Sequence, residues 1–341
     1  KTKQKVMKYI QSYRLKEGKS LNDLELLTQL LSVLKLKTTT KSKVELYTDT
    51  PTLKEYTKFG IEKLYDTINT EVLDSFPIDK INMEDYWSST KLWVMKHQEE
   101  PFCILDVDLV LHNITDEVLD RAQVSFLHTE TPTIYAIPTT LNKPKTFKWT
   151  DWDITSFINS IPINCSAVAF TDIDFLKSYT DKYFRFVLNN KGGYTNKIYK
   201  NSEFTSDNGP QITIEQWLLS SMIWQKNNNQ DGTPVKNMFS SQSLTNAHSF
   251  PLGFQHQVYN VPPNTLGQEL ESQIFHLWGA KYFYDRAEKE NNPNLYNTWE
   301  NLKQDLIKAN NDFIQFIKKD EYYDILEKIQ EYCREIPKTT N

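Results

Sequence analysis

Pro101-Phe-Cys-Ile-Leu-Asp-Val-Asp-Leu-Val110 is the stretch on which the reading of this chain turns. The apolar run Phe102, Cys103, Ile104 and Leu105 predicts a buried strand, and it ends in two carboxylates, Asp106 and Asp108. In extended backbone, residues i and i+2 point to the same side, so this spacing predicts two like charges presented together at a strand end. Such a pair repels unless a cation or a proton sits between the groups. Oxygen ligands suit a hard divalent ion such as Mg²⁺ or Mn²⁺. A plainer reading also stands, because Asp-x-Asp is short enough to arise by chance.

The context upstream of the pair is alternating. Val6 to Leu15 predicts a strand ending at Ser12, Tyr13 and Arg14. Leu21 to Leu36 then carries apolar residues at 21, 24, 27, 30, 31 and 34, one face of a helix, with Ser20 as the expected N-cap. Val44 to Tyr47 reads as a second strand running into Asp49, and Thr52 to Phe59 as a helix stopped by Gly60. Ile61 to Ile68 is expected as a third strand and Met83 to Gln98 as the helix before Pro101. Strand and helix in alternation predict a mainly parallel sheet covered by helices, an α/β fold. Right-handed crossovers gather the strand C-termini, and with them Tyr13, Asp49, Asp106 and Asp108, on the ligand-binding edge.

Downstream the pattern is mixed. Val124 to Leu127, Thr133 to Ile137 and Ile163 to Phe170 read as strands; Trp152 to Ile158, Asp174 to Leu188 and Ile214 to Trp224 read as helices. The polar stretches Lys191 to Pro210 and Asn227 to Pro234 read as loops. Near the C-terminus, Trp299, Leu302, Leu306, Ala309, Phe313 and Phe316 recur at spacings of three and four, as do Tyr322, Ile325, Ile329 and Tyr332. Two amphipathic helices in a hairpin are expected there.

Bulk properties narrow the partners. The 341 residues include 24% charged and 39% hydrophobic, with 18 Tyr, 18 Phe, 8 Trp and only 9 Gly, which describes a packed globular chain and not a low-complexity one. A net charge of −5 offers no general attraction to nucleic acid or to anionic membrane. Cys103, Cys165 and Cys333 are odd in number and lie in apolar patterns, so they are expected as reduced core residues. No apolar stretch reaches the ~20 residues of a membrane span. The basic start, Lys1 to Lys8, is not followed by a secretory apolar core, and the expected location is cytoplasmic.

Four further stretches carry candidate chemistry. Ile274 to Phe283 holds His276, Gly279 and Lys281, a possible metal ligand, backbone approach and phosphate partner; the alternative is an aromatic core segment with one hydrogen-bonded histidine. Glu215 and Gln216 stand at a helix start, where a carboxylate serves the helix dipole or faces a polar substrate. Asn164 and Ser166 interrupt an apolar strand and need partners, backbone or ligand. Lys91, among Trp87, Leu92 and Trp93, either snorkels to solvent or reaches a ligand pocket.

In this order the motifs resemble those of GT-A nucleotide-sugar glycosyltransferases, most of all the family-8-type, glycogenin- and galactosyltransferase-like enzymes and related bacterial and phage proteins. The resemblance covers roughly residues 6 to 285 and rests on short motifs. It implies a single GT-A (Rossmann-like) domain over residues 1–290, with a mixed, mainly parallel central sheet flanked by helices. Residues 291–341 would form amphipathic helices packed on it. It further implies that Asp106, Asp108 and His276 hold Mn²⁺ or Mg²⁺ on the donor diphosphate. Gly279 and Lys281 would contact that diphosphate, although the lysine follows the glycine by two residues where the family has three, and Tyr282-Phe283 replace the expected Pro-Trp. Asn164, Ser166 and Lys91 would line the donor, Tyr13 and Asp49 would hold base and ribose, and Glu215 and Gln216 would flank the transferred sugar. The implied activity is metal-dependent hexosyl transfer, retaining, from a UDP-sugar to a glycan or protein acceptor, with no nucleic acid partner. Aromatic residues Trp149, Trp152, Trp217 and Tyr259 are candidates for sugar stacking or for the core. Two other classes compete: a nucleotidyltransferase, for which Ser12 to Gly18 makes a poor phosphate loop, and a non-catalytic carbohydrate- or protein-binding module on the same fold.

Overall fold

The first described segment alternates strand and helix: β1 (Lys8–Tyr13), α1 (Asp23–Thr39), β2 (Val44–Thr48), α2 (Thr50–Phe59), β3 (Thr67–Asn69), α3 (Glu71–Asp74) and α4 (Ser89–Lys96). Two strands follow, β4 (Phe102–Leu105) and β5 (Leu109–Leu111), then β6 (Val124–Phe126), β7 (Ala167–Phe170) and α5 (Ile173–Asn189). Beyond them come α6 (Leu218–Asn228), β8 (Ile274–His276), α7 (Pro293–Ile317) and α8 (Tyr323–Glu335). The computed structural model describes residues 7–111, 123–126, 163–189, 213–228, 274–277 and 292–335. The described strands form a six-stranded sheet, order β3-β2-β1-β4-β7-β6, and a two-stranded ribbon, β5-β8. The sheet is mixed and mainly parallel: β1, β2 and β3 pair in parallel, β6 and β7 antiparallel. Flanked by helices and carrying a C-terminal helical pair, it is the α/β architecture expected from the alternation.

The chain divides into two compact units, one of Lys1–Met7, Ser75–Ile104 and Glu117–His256, the other of Lys8–Asp74, Leu105–Asp116 and Gln257–Asn341. In the second unit α1 is the central element. Leu24, Leu27, Leu30, Leu31 and Leu34 are buried, as the one-face spacing predicts, but so are Leu26, Val33 and Leu36. The reason is that α1 packs on β2 and β5 and also on α7 and α8, so within the helix only Thr38, near its C-terminal end, is exposed. Its N-cap is Asn22, whose side chain accepts from the Glu25 N–H at 3.1 Å; the expected cap, Ser20, lies two residues too early.

Local chemistry accounts for the other shifted boundaries. Asp49 caps α2 by accepting from Thr52 N–H at 3.0 Å, which starts the helix at Thr50, and Gly60 ends it at φ 81. That left-handed residue turns the chain into a 3-10 segment, Ile61–Leu64, so the strand expected over Ile61 to Ile68 shrinks to Thr67–Asn69. Ile61 and Leu64 are both fully buried, a spacing that fits a tight helical turn as well as a strand. The helix expected from Met83 starts only at Ser89, because Asn82 bonds the Glu84 N–H and the Asp85 carboxylate instead.

The C-terminal hairpin is present as expected, with Lys318 at φ 53 between its helices. Trp299, Leu302, Leu306 and Phe313 are buried in it, whereas Phe316 is 74% exposed and falls off the apolar face. Polar contacts seat the hairpin on α1 and the residues before it: Asn310 Nδ2 donates to Leu27 O at 2.9 Å and Tyr332 OH to Leu21 O at 2.8 Å. The segments expected at Thr133 to Ile137, Trp152 to Ile158 and Lys191 to Pro210 lie outside the described residues, as do residues 229–234. No helix among the described residues is long and apolar enough to cross a membrane.

Candidate functional site

The Asp-x-Asp segment is not extended. β4 stops at Leu105, and Leu109 N–H returns to Asp106 O at 3.2 Å, closing a tight turn over Asp106, Val107 and Asp108 before β5 begins. The expected i, i+2 alignment on one strand is therefore replaced by a reversal, which Val107 anchors by burying its side chain. The pairing of β5 with β8 supplies the third group. Their antiparallel register places Leu109 opposite His276, Val110 opposite Phe275 and Leu111 opposite Ile274. Leu277 N–H also donates to Asp108 O at 2.9 Å, extending the ribbon to its end.

One ligand atom from each of Asp106, Asp108 and His276 lies within 4.8 Å of the others. His276 Nε2 is 3.6 Å from Asp108 Oδ1. Asp108 and His276 are 4% and 9% exposed, and Asp106 is half-buried. Two carboxylate oxygens and an imidazole nitrogen form a donor set for a divalent ion. The sequence motifs named these three residues, and turn and ribbon bring them together.

Tyr13 and Asp49 stand at the ends of adjacent parallel strands, with Tyr13 in register with Thr48. Each already has a structural partner. Tyr13 OH donates to Glu25 Oε2 at 3.1 Å and its ring stacks on Tyr56, while Asp49 caps α2 and pairs with Arg14 Nε at 3.0 Å. Arg14 was not singled out by sequence. Its place beside Tyr13, one strand away from Asp49, was the available signal.

The other unit gathers a second constellation. Lys91 on α4 is buried and does not snorkel: Nζ lies 2.8 Å from Glu215 Oε1 and donates to Cys165 O at 3.0 Å. Glu215 sits in a π-helical turn, Thr213–Trp217, that precedes α6. Its carboxylate is thus taken by a lysine from another helix and is not a simple helix-dipole residue. Asn164 Oδ1 accepts from Ser166 N–H at 2.9 Å, forming a local turn that delays the strand to Ala167 and leaves the Cys165 carbonyl to Lys91. Gln216 is 9% exposed, and its Oε1 has no hydrogen-bond partner among the described residues. Tyr179 on α5 donates from its hydroxyl to Glu215 O at 2.9 Å. Burial pushes the Tyr179 phenol well above its ordinary pKa, so it stays neutral. Gly279 and Lys281 lie outside the described residues, as do Trp149, Trp152 and Tyr259. Trp217 is a buried residue.

An α/β fold with a turn-and-ribbon Asp-Asp-His group is what the chain presents. It belongs to a family described as a family of unknown function (DUF6734), whose model matches residues 7–261. No curated protein matches it. Among solved structures, apo mouse xyloside xylosyltransferase 1 is similar at 11% identity and a TM-score of 0.35, over 64% of this chain and 80% of that one. An active-site mutant of LgtC is similar at 8% identity and a TM-score of 0.30, over 53% of this chain and 64% of that one. Galactosyltransferase LgtC with donor and acceptor sugar analogs gives 9% and 0.28, over 53% and 65%. At these values the likeness does not bear on activity.

Proposed function

We propose that this chain is a metal-dependent glycosyltransferase that moves a hexose from a nucleoside diphosphate donor, a UDP-sugar, to a hydroxyl of a glycan or protein, with retention. The observation that carries the reading is the Asp106, Asp108 and His276 group, three metal-ligand side chains within 4.8 Å on a turn and a two-stranded ribbon. These residues would hold Mn²⁺ or Mg²⁺. When bound, such an ion neutralises the diphosphate as it leaves, so that no proton need be delivered to it. In the reaction the bond from the anomeric carbon to the diphosphate breaks, a bond to the acceptor oxygen forms, and the acceptor proton passes to solvent or a base.

The remaining residues take proposed roles in donor binding and catalysis. Lys281 and Gly279 contact the diphosphate, Tyr13 and Asp49 the nucleoside, and Lys91, Asn164 and Ser166 the sugar side. Glu215 and Gln216 are the proposed catalytic pair beside the anomeric centre. The buried cysteines Cys103, Cys165 and Cys333 fit work in a reducing compartment, the cytoplasm.

The test is UDP release by the full chain with Mn²⁺ across a panel of UDP-sugars. Release with at least one donor, lost in Asp108→Ala, is the expected result. Absence of release with every donor, together with no shift in melting temperature on adding Mn²⁺ and UDP, would overturn the reading. Pyrophosphate release from a nucleoside triphosphate would replace it with nucleotidyl transfer.

A further inference from the structure

We infer that Tyr179 is a positioning residue that holds the Glu215–Gln216 turn in the geometry catalysis needs, a role that rests on the glycosyl-transfer reading of those two residues. The turn that carries them is built unusually. Thr213–Trp217 is π-helical, and the α-helical pattern resumes only at Leu218. A π turn closes i→i+5 bonds and is wider than an α turn, so it is rare and needs outside support. Tyr179 provides that support at one atom, donating to the Glu215 carbonyl at 2.9 Å.

The donor itself cannot wander. The Tyr179 ring is fully buried and stacks on Phe170 of β7 at 6.3 Å, and Phe170 stacks in turn on Phe102 of β4 at 5.8 Å. The hydroxyl is therefore carried by the sheet through two rings. Lys91 secures the same residue from the side-chain end, 2.8 Å from the Glu215 carboxylate, while it is tied to Cys165 O at 3.0 Å. Glu215 is thus held at its carbonyl by α5 and at its carboxylate by α4. With both ends of residue 215 fixed, the backbone entering Gln216 has little freedom, and Gln216 keeps a buried Oε1 with no protein partner among the described residues.

Such a clamp acts on orientation and not on ligand affinity, and a small misplacement of a reacting group costs rate steeply. Tyr179→Phe removes the one hydroxyl and keeps the ring stack. The expected result is a loss of about tenfold in kcat, with the donor KM unchanged, the size of one mispositioned hydrogen bond. The deciding measurement is a double-mutant cycle with Gln216→Ala, scored as kcat per folded molecule. If Tyr179 acts through the turn, Tyr179→Phe costs less than its tenfold once Gln216 is gone, the remainder being its hold on Glu215. Additive losses, or a Tyr179→Phe protein as fast as wild type, overturn the positioning role while leaving the transfer reading intact. A wild-type protein with no turnover on any donor overturns the transfer reading, and the role built on it, before Tyr179 is touched.

Discussion

Two charged clusters in this chain use similar groups in opposite ways. Asp106, Asp108 and His276 bring two acids and an imidazole together on neighbouring backbone, a turn and a ribbon within one unit. Lys91 and Glu215, in the other unit, are a buried cation and anion drawn from a helix and a π turn, with a carbonyl and a phenol completing the knot. The first gathers like charges and so is suited to a third party. The second balances its own charge and so is suited to holding a shape. Substitutions should therefore separate them: in the first, binding changes and stability hardly does; in the second, stability changes strongly.

The largest expected effect is at the first cluster. Asp108→Ala should weaken Mn²⁺ binding on the order of 100-fold or more, scaled from the loss expected when even outer ligand partners are removed. Calorimetric titration measures it, and the melting temperature without metal should hold or rise, since a like charge is removed. A large loss of stability without metal would make the aspartate a structural residue and erase the contrast.

Next in size is the second cluster. Glu215→Ala leaves Lys91 buried without its carboxylate, and breaking a buried pair in this way costs about 3–5 kcal/mol. Urea unfolding reads the cost. The companion change Lys91→Met in the Glu215→Ala protein should recover part of it, because no charge then remains uncompensated. Failure to recover would mean that packing and not charge holds the knot.

A third buried pair sharpens the comparison, since it is imperfectly balanced. Asp23, 2% exposed at the start of α1, faces Lys303 of α7 at 3.8 Å, while Lys303 also serves Glu300 at 3.0 Å. Burial pushes the Asp23 carboxyl up from 3.8 to about 6, against the pull of Lys303. A raised carboxyl binds its proton more tightly folded than unfolded. Its contribution is then full below about pH 4 and lost as pH rises through 6, worth about 2–3 kcal/mol at most. Subtracting the Asp23→Asn profile from that of wild type isolates the effect. A wild-type profile that gains stability over this range relative to Asp23→Asn would reverse the sign and refute the assignment. The smallest change is Tyr332→Phe, which removes the bond to Leu21 O and should cost about 1 kcal/mol in urea unfolding.

The clusters differ equally in how far they can be read from sequence. Asp106, Asp108 and His276 are visible because each sits next to a strong local signal, a four-residue apolar strand or a short aromatic run. Even so, the pleat argument for the aspartates failed. Two-residue spacing is compatible with a tight turn, and only the Leu109 to Asp106 hydrogen bond decides between them. Lys91 and Glu215 lie 124 residues apart in number, and nothing local distinguishes a buried lysine from a snorkelling one, or a paired glutamate from a capping one. Helix existence was similarly legible and helix ends were not. Asn82, Asn22 and Asp49 decide the ends through single side-chain bonds, where the sequence reading placed a cap at Ser20 and began the other two helices at Met83 and Thr52. The burial of α1 beyond one face, at Leu26, Val33 and Leu36, was hidden because it depends on the C-terminal helices packing on its far side.

The central claim, that the turn-and-ribbon group is a metal centre, is tested most directly by Mn²⁺ titration of the full chain followed by electron paramagnetic resonance, with and without UDP. The account predicts one bound Mn²⁺ per chain, tightened by UDP and lost in His276→Ala and Asp108→Ala. Mn²⁺ binding unchanged in both variants, or absent from wild type with UDP present, would contradict it.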